Sequence, residues 1–468
     1  PRVRRQRQMC IRDRDINTSL GNAADPIDAD QKLQEDALMS YVASVNYSYG
    51  DKYYASFSFR RDGSSRLSPD TRWGNFWSLS ASWRLSQEKF MQSLKSVLSD
   101  LKLRASYGVN GNLPSSYYGY QSTYTTGAFY NGKPSPWEST LGNEELTWEK
   151  NYALNLGLDI GLFSRVNVSL DWYTRTTKDL LMSKQLNSIS GFSSLLTNVG
   201  QMRNTGVELE VRSNNIKTKD FSWTTAFNLS HNKNKILKLA DLPWFVDGRY
   251  VRKEGYPFNT IYLREYAGVD PETGSALYYD NQQDENGNYT KNKVTDPGQA
   301  SPIPLKDITP TISGGFMNTF NYKFIDLSFN LSYSFGGYSY DNASYILQDD
   351  GYSVISNKST EQRRRWQKPG DITDVPRFVY GNKKGGNYNS SRAIHSTDHI
   401  RLKSLILGLN APKAWLQKLG IGNARIYFSG TNLLTWAAYG QYDPEMSGVV
   451  GFYTPPLKTY AFGLELKF

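Results

Sequence analysis

His395 and His399 stand four residues apart, the spacing at which two imidazoles on one helix face fill two positions of a metal site if a third ligand joins them. Their surroundings, IHSTDHIRLKS, lead into a strand-like alternation, so no metal site is expected there. The stretch DNQQDENGNYT (residues 280–290) has the look of a calcium loop. Aligned on Gly287, however, it has Gln282 first and Lys293 last where carboxylates are required, and a turn at Asn286-Gly287 is the expectation. Adjacent carboxylates, Glu144 with Glu145 and Asp349 with Asp350, sit in polar stretches with no apolar pocket to raise one pKa, so glycosidase chemistry has no footing. No catalytic, cofactor or metal residue is expected, and the chain does not read as an enzyme. Binding suits its residue types better. Residues 115–130 (SSYYGYQSTYTTGAFY), Trp137 and residues 243–258 (PWFVDGRYVRKEGYPF) carry aromatic rings that stack on sugars or cover peptide side chains. The candidates for contact with ligand or partner are Tyr117, Tyr118, Tyr120, Tyr124, Trp137, Trp244 and Tyr250. The competing expectation is that these rings pack the loops against one another. Three arginines beside Trp366, in STEQRRRWQKPGD, read as a solvated loop.

The elements that hold such loops announce themselves by a period of two. In FWSLSASWRL (residues 76–85), Trp77, Leu79, Ala81, Trp83 and Leu85 share one face, and Ser78, Ser80, Ser82 and Arg84 share the other. Phe57 and Phe59 alternate in the same way with Ser56, Ser58 and Arg60. Similar segments recur from residue 101 to the end, about thirteen to fifteen in all, and ten residues is what a tilted strand needs to cross a bilayer. Composition agrees. Of 468 residues 38% are hydrophobic and 14% aromatic, and no run of eighteen apolar residues exists; this excludes a helical span and leaves a membrane barrel, whose strands show half their residues to water. Aromatics gather towards segment ends (Tyr41, Tyr53, Tyr54, Trp73, Phe76, Trp148, Tyr152, Trp172, Trp223, Tyr322, Trp436 and Tyr460), as girdles at two interfaces would. The fold class is all-β: a transmembrane antiparallel β-barrel, partial, with long extracellular loops. A secreted soluble β-rich protein that binds glycans or adheres is the alternative.

The links between segments sort by length. Short ones, GDK (50–52), LFSR (162–165), NNIKTKD (214–220) and KFI (323–325), alternate with long ones such as 110–148, 174–201 and 337–398, the rule of outer-membrane barrels with short periplasmic turns. Helical spacing in residues 86–100 and 411–420 predicts short helices on the short-turn side. Residues 1–14 hold six of the 54 basic residues and the single cysteine, Cys10, and match nothing that follows. They are expected to be a sequencing or translation artefact. Without them the formal charge of +10 falls to about +5, too little to argue for nucleic acid, and the cysteine-free remainder excludes a disulfide framework. Residues 15–36 are expected to be an extracellular loop remnant, and residues 37–468 the barrel.

FRRDGSSRL (59–67), RWGNFWSLSASWRLSQEKFM (72–91), LSDLKLRASYGVNGN (98–112), RNTGVELEV (203–211), SGTNLLTW (429–436), YDPE (442–445) and PPLKTYAFGLELKF (455–468) follow in order. Together they resemble the C-terminal barrel portion of SusC/RagA-type TonB-linked outer-membrane transporters, from about residue 37 onward. The chain-terminal strand ending in Phe468 resembles the signal read by barrel-assembly machinery. The resemblance implies a Bacteroidota outer membrane with lipid around the barrel, a SusD-like surface lipoprotein over the mouth, TonB coupling through an N-terminal plug, and import of glycans or peptides without a cofactor. Plug, TonB box and first strands are not recognisable in the sequence, so the chain is expected to be a fragment whose open sheet does not insert stably alone.

Overall fold

The computed structural model of the chain describes residues 33–239, 243–382, 389–412, 416 and 420–468. Thirteen strands make its main sheet: β1 (Leu38–Tyr49), β2 (Tyr53–Ser64), β3 (Trp73–Arg84), β4 (Leu98–Asn112), β5 (Glu149–Leu162), β6 (Val166–Lys178) and β7 (Gln201–Lys217). They continue with β8 (Phe221–Lys238), β9 (Ile312–Tyr322), β10 (Ile325–Phe335), β11 (His399–Asn410), β12 (Asn423–Ala437) and β13 (Thr459–Lys467). Each strand pairs antiparallel with the next in chain order, which makes the sheet a meander with β1 and β13 at its ends. The number of strands meets the expectation from periodicity, and the expectations for residues 1–32 lie outside the described residues.

Directly paired residues share a face, so the register carries one apolar face across the wall. Val45 faces Phe57, Phe57 faces Leu79, and Leu79 faces Tyr107; further on Leu170, Leu209 and Leu229 align, then Phe316, Leu331 and Leu402. Leu79, Phe57, Leu407 and Phe462 are exposed on this face, as lipid contact requires. Aromatic pairs mark its two rims. Tyr41 stacks on Trp73 at the long-loop end (6.1 Å), and Tyr53 stacks on Trp83 at the short-turn end (6.2 Å). Three rings named from the sequence leave this girdle. Tyr54 has the opposite parity and donates to Asp51, while Phe76 and Trp148 meet edge to face (5.2 Å) in a buried cluster with Leu67 and Leu146.

The opposite face carries charge, arranged around two glycines. Arg104 on β4 lies over Gly157 of β5 and reaches both Asp159 (2.8 Å) and Asp171 of β6 (2.8 Å), because Arg104, Gly157 and Asp171 stand in one row. A Cβ at residue 157 would meet the guanidinium carbon at 2.6 Å, so any larger residue displaces the bridge. Asp326 on β10 and Arg425 on β12 pair at 2.6 Å over Gly408 of β11 by the same means. Both are ways to pair charges two strands apart.

Two-residue turns at Gly50-Asp51 and Phe163-Ser164 have positive φ at both positions, the primed geometry that matches strand twist. The β3–β4 link differs from expectation. Instead of a helix through residues 86–100 it makes two 3-10 turns, Leu85–Gln87 and Lys89–Leu94, and β4 has already begun at Leu98. Ser86 donates to Asp100 (2.7 Å) and Glu88 is tied to the wall, which leaves the link between two neighbouring strand ends no length for a regular helix. The expected helix at 411–420 lies largely outside the described residues; Leu416 within it is buried.

Candidate functional site at the long-loop end

All short turns lie at one end of the wall, and links 65–72, 113–148, 179–200, 239–311, 336–398 and 438–458 lie at the other. These long links are not the simple polar loops their composition suggests. Residues 239–311 build a four-stranded sheet (Trp244–Asp247, Tyr250–Lys253, Thr260–Leu263, Ile303–Asp307) and a three-stranded one (Tyr266–Val269, Ala276–Tyr279, Lys293–Val294). Ile261, Leu263, Tyr340 and Ala393 form a core that joins this region to residues 336–398. Ser339–Asp341 then pairs parallel with Gly448–Val450, so the last long link is locked in as well. The result is a cap whose parts hold one another.

Within it, the sequence candidates fall into three groups. Tyr117 and Tyr118 are neighbours (6.4 Å between rings), Arg66 lies 4.1 Å over Tyr117, and Tyr120 packs on the Trp148 cluster. Tyr124 and Trp137 project from the hairpin Thr123–Tyr130 with Lys133–Thr140. Trp137 pairs with Thr125, so the two rings leave opposite faces; they are 66% and 55% exposed, free to meet a ligand or partner. Trp244 stays half exposed against Tyr262 (5.9 Å), whereas Tyr250 packs into the cap core and burial pushes its hydroxyl pKa up against the pull of Arg252 and Arg249. Loop packing thus accounts for Tyr120 and Tyr250, and the hairpin rings remain available.

Some charged residues find different places from those read in sequence. Asp349 and Asp350 are buried, not solvated: Lys358 reaches Asp349 at 2.6 Å and Arg392 reaches Asp350 at 2.6 Å. Burial opposes the charge on Arg392, and Asp350 with Tyr266 nonetheless holds its pKa above the ordinary value. Trp366 leaves solvent to donate to the Pro271 carbonyl (2.8 Å). Arg60 pairs with Asp62 and Arg66 with Asp36, while Arg61 lies over Trp73. Asp284 accepts from the backbone N–H of Asn286 and Asn288, which closes the turn at Gly287. His395 stacks flat on Tyr439 at 3.7 Å, and His399, at one end of β11, donates from Nδ1 to the Thr397 carbonyl (2.8 Å). The two histidines therefore serve different contacts.

Sequence reading missed the residues that border a cleft of about 580 Å³ between links 336–398 and 438–458. Arg401, buried on β11, donates to Asp443 (2.7 Å) and Glu445 (2.9 Å), and Lys403 adds a bond to Glu445 (2.6 Å). Asp341 accepts from Ser344 and from the Tyr439 hydroxyl (3.1 Å). Phe452 and Tyr453 also line it and stand exposed, so the cleft combines aromatic rings with polar groups. The YDPE motif was the available signal, since two carboxylates two positions apart across a proline suit one guanidinium.

Comparison with known proteins gives the following. Residues 5–261 match the family profile described as TonB dependent receptor-like, beta-barrel. The chain is similar to TonB-dependent receptor P3 of Formosa agariphila, 33% identical over 93% of this chain and 46% of that protein. It is also similar to TonB-dependent receptor SusC of Bacteroides thetaiotaomicron, 30% identical over 94% of this chain and 45% of that protein. Among solved structures, the RagAB peptide transporter matches with a TM-score of 0.85 at 30% identity, over 96% of this chain and 49% of the matched one. The chain spans about half the length of the relatives it matches.

Proposed function

We propose a function from one premise: this chain belongs to the TonB-dependent receptor β-barrel family, is SusC/RagA-like within it, and is an outer-membrane transporter component, not an enzyme. The whole protein imports oligosaccharides or peptides with a SusD-like surface lipoprotein over the long-loop end, energised through TonB by way of an N-terminal plug. The strands β1–β13 and the links between them supply part of its barrel wall and of its cap. The observation that carries this reading is the interlocked cap with the exposed rings of Tyr124 and Trp137 on its projecting hairpin. Rings at such a site meet sugar faces or peptide side chains, or the partner that presents them.

The test is uptake of a labelled oligosaccharide and a labelled oligopeptide by cells carrying the full-length protein, with and without TonB and the partner lipoprotein. Energy-dependent uptake of one class is expected. Tyr124→Ala with Trp137→Ala should weaken capture about tenfold, as loss of aromatic contacts at about 0.5–1.5 kcal/mol each requires. Energy-independent behaviour, or no uptake of either class, would refute the assignment.

A further inference from the structure

At the short-turn end the β3–β4 link leaves the charged face and crosses to the lipid side. Ser86 still bonds inward to Asp100, but two residues later Glu88 accepts from the Tyr53 hydroxyl (2.6 Å) and the Trp83 indole (3.2 Å), both rings of the lipid-facing girdle. Lys52 completes this anchor at 2.9 Å. These three donors, Tyr53 foremost, hold the Glu88 carboxyl down at about 2, so the anchor stays ionised at neutral pH. Beyond it the segment turns apolar side chains to the outside: Phe90 is 64% exposed, Leu94 50% and Val97 47%. The neighbouring β5–β6 turn, whose Phe163 N–H donates to the Val97 carbonyl (2.8 Å), adds Phe163 at 59%. Lys89 and Lys95 are interspersed and exposed.

A surface of this kind is costly in water unless something covers it. It starts where Glu88 meets two rings of the lipid-facing band, and its lysines complement anionic headgroups. We propose that residues 89–97, with Phe163, form an interfacial anchor that lies in the headgroup layer of the inner leaflet and takes phospholipid as its partner. Phe90 and Leu94 reach the acyl boundary while Lys89 and Lys95 meet phosphates, the division of labour of amphipathic interfacial segments. The anchor would fix the height and tilt of the β3–β5 sector of the wall. The proposal needs only the membrane location of the barrel and not import of any substrate.

The test places a polarity-sensitive fluorophore at Phe90→Cys, Leu94→Cys or, as a reference, Gln92→Cys, each in a background free of other cysteines, in the full-length protein reconstituted in lipid nanodiscs. Only discs in which the same label at Phe57→Cys is quenched by spin-labelled lipid are scored. Labels at residues 90 and 94 should shift to the blue and be quenched at least twofold more than at 92. Quenching should be stronger in discs containing phosphatidylglycerol than in phosphatidylcholine alone, a difference that Lys89→Gln with Lys95→Gln removes. Equal quenching at all three positions would overturn the proposal. In isolated outer membranes, a photoreactive phenylalanine at residue 90 should form adducts with phospholipid; adducts with a protein instead would overturn it too.

Discussion

His395 is a residue whose role is set by what surrounds it and not by its spacing to His399. Its ring lies flat on Tyr439 inside the cap, where burial lowers its pKa below the usual histidine value and the nearby carboxylate of Asp341 only partly offsets this. Tyr439 faces it from the last long link with Tyr442 packed behind, and burial raises the pKa of both phenols, which leaves them neutral throughout the relevant range. The folded cap therefore holds His395 neutral while the unfolded chain protonates it near pH 6.5. Stability from this residue is fully present above that value and is lost as pH falls through it towards the lower folded pKa. Hydrogen exchange of residues 394–396 and 438–442, measured from about pH 7.5 to 5, should show the cap loosening on acidification, and His395→Phe should flatten that profile. An unchanged slope in the variant would refute the assignment.

At the scale of elements, β11 does more than complete the wall. Its residues Arg401 and Lys403 hold the link 438–458 through Asp443 and Glu445, with Arg401 almost wholly buried between the two carboxylates. Removing one member of a buried pair costs about 3–5 kcal/mol, whereas the more exposed Lys403 contact is worth about 1 kcal/mol or less. Arg401→Leu should open residues 438–458 to limited proteolysis with the wall strands still protected, and Lys403→Leu should change the cleavage rate little. Comparable cleavage in the two variants would show that Arg401 is not the clamp. The contrast between wall and cap also explains what could be read in advance. Strands such as Trp73–Arg84 are long and have one apolar face, so their period of two survives in sequence. Cap strands such as Tyr338–Asp341 and Gly448–Val450 are short and pair across more than a hundred residues, and no local pattern encodes that. The buried state of Asp349 and Asp350 was hidden for the same reason: their partners Lys358 and Arg392 count as loop charges until the cap folds around them. Tyr124 and Trp137 were legible as loop aromatics but not as exposed ones, because whether a loop ring packs or projects depends on contacts distant in sequence.

For the molecule as a whole, the two ends of the sheet decide its behaviour. Among the described residues neither the outer edge of β1 nor that of β13 is paired, and nearly every residue of both strands is exposed. Unpaired backbone groups are tolerated neither in hydrocarbon nor, on a long flat edge, in solution. Expressed alone, these 468 residues should run as aggregate in detergent and give no heat-modifiable band; a monodisperse, heat-modifiable product would contradict this. The parallel pairing of Ser339–Asp341 with Gly448–Val450 has a different consequence, one of timing. It joins the link after β10 to the link after β12, so it cannot form until β11 and β12 have been laid beside them, and its long loop closure makes it slow. The cap is thus a record of late assembly: its resistance to protease during biogenesis would report the moment at which β11 and β12 are in place.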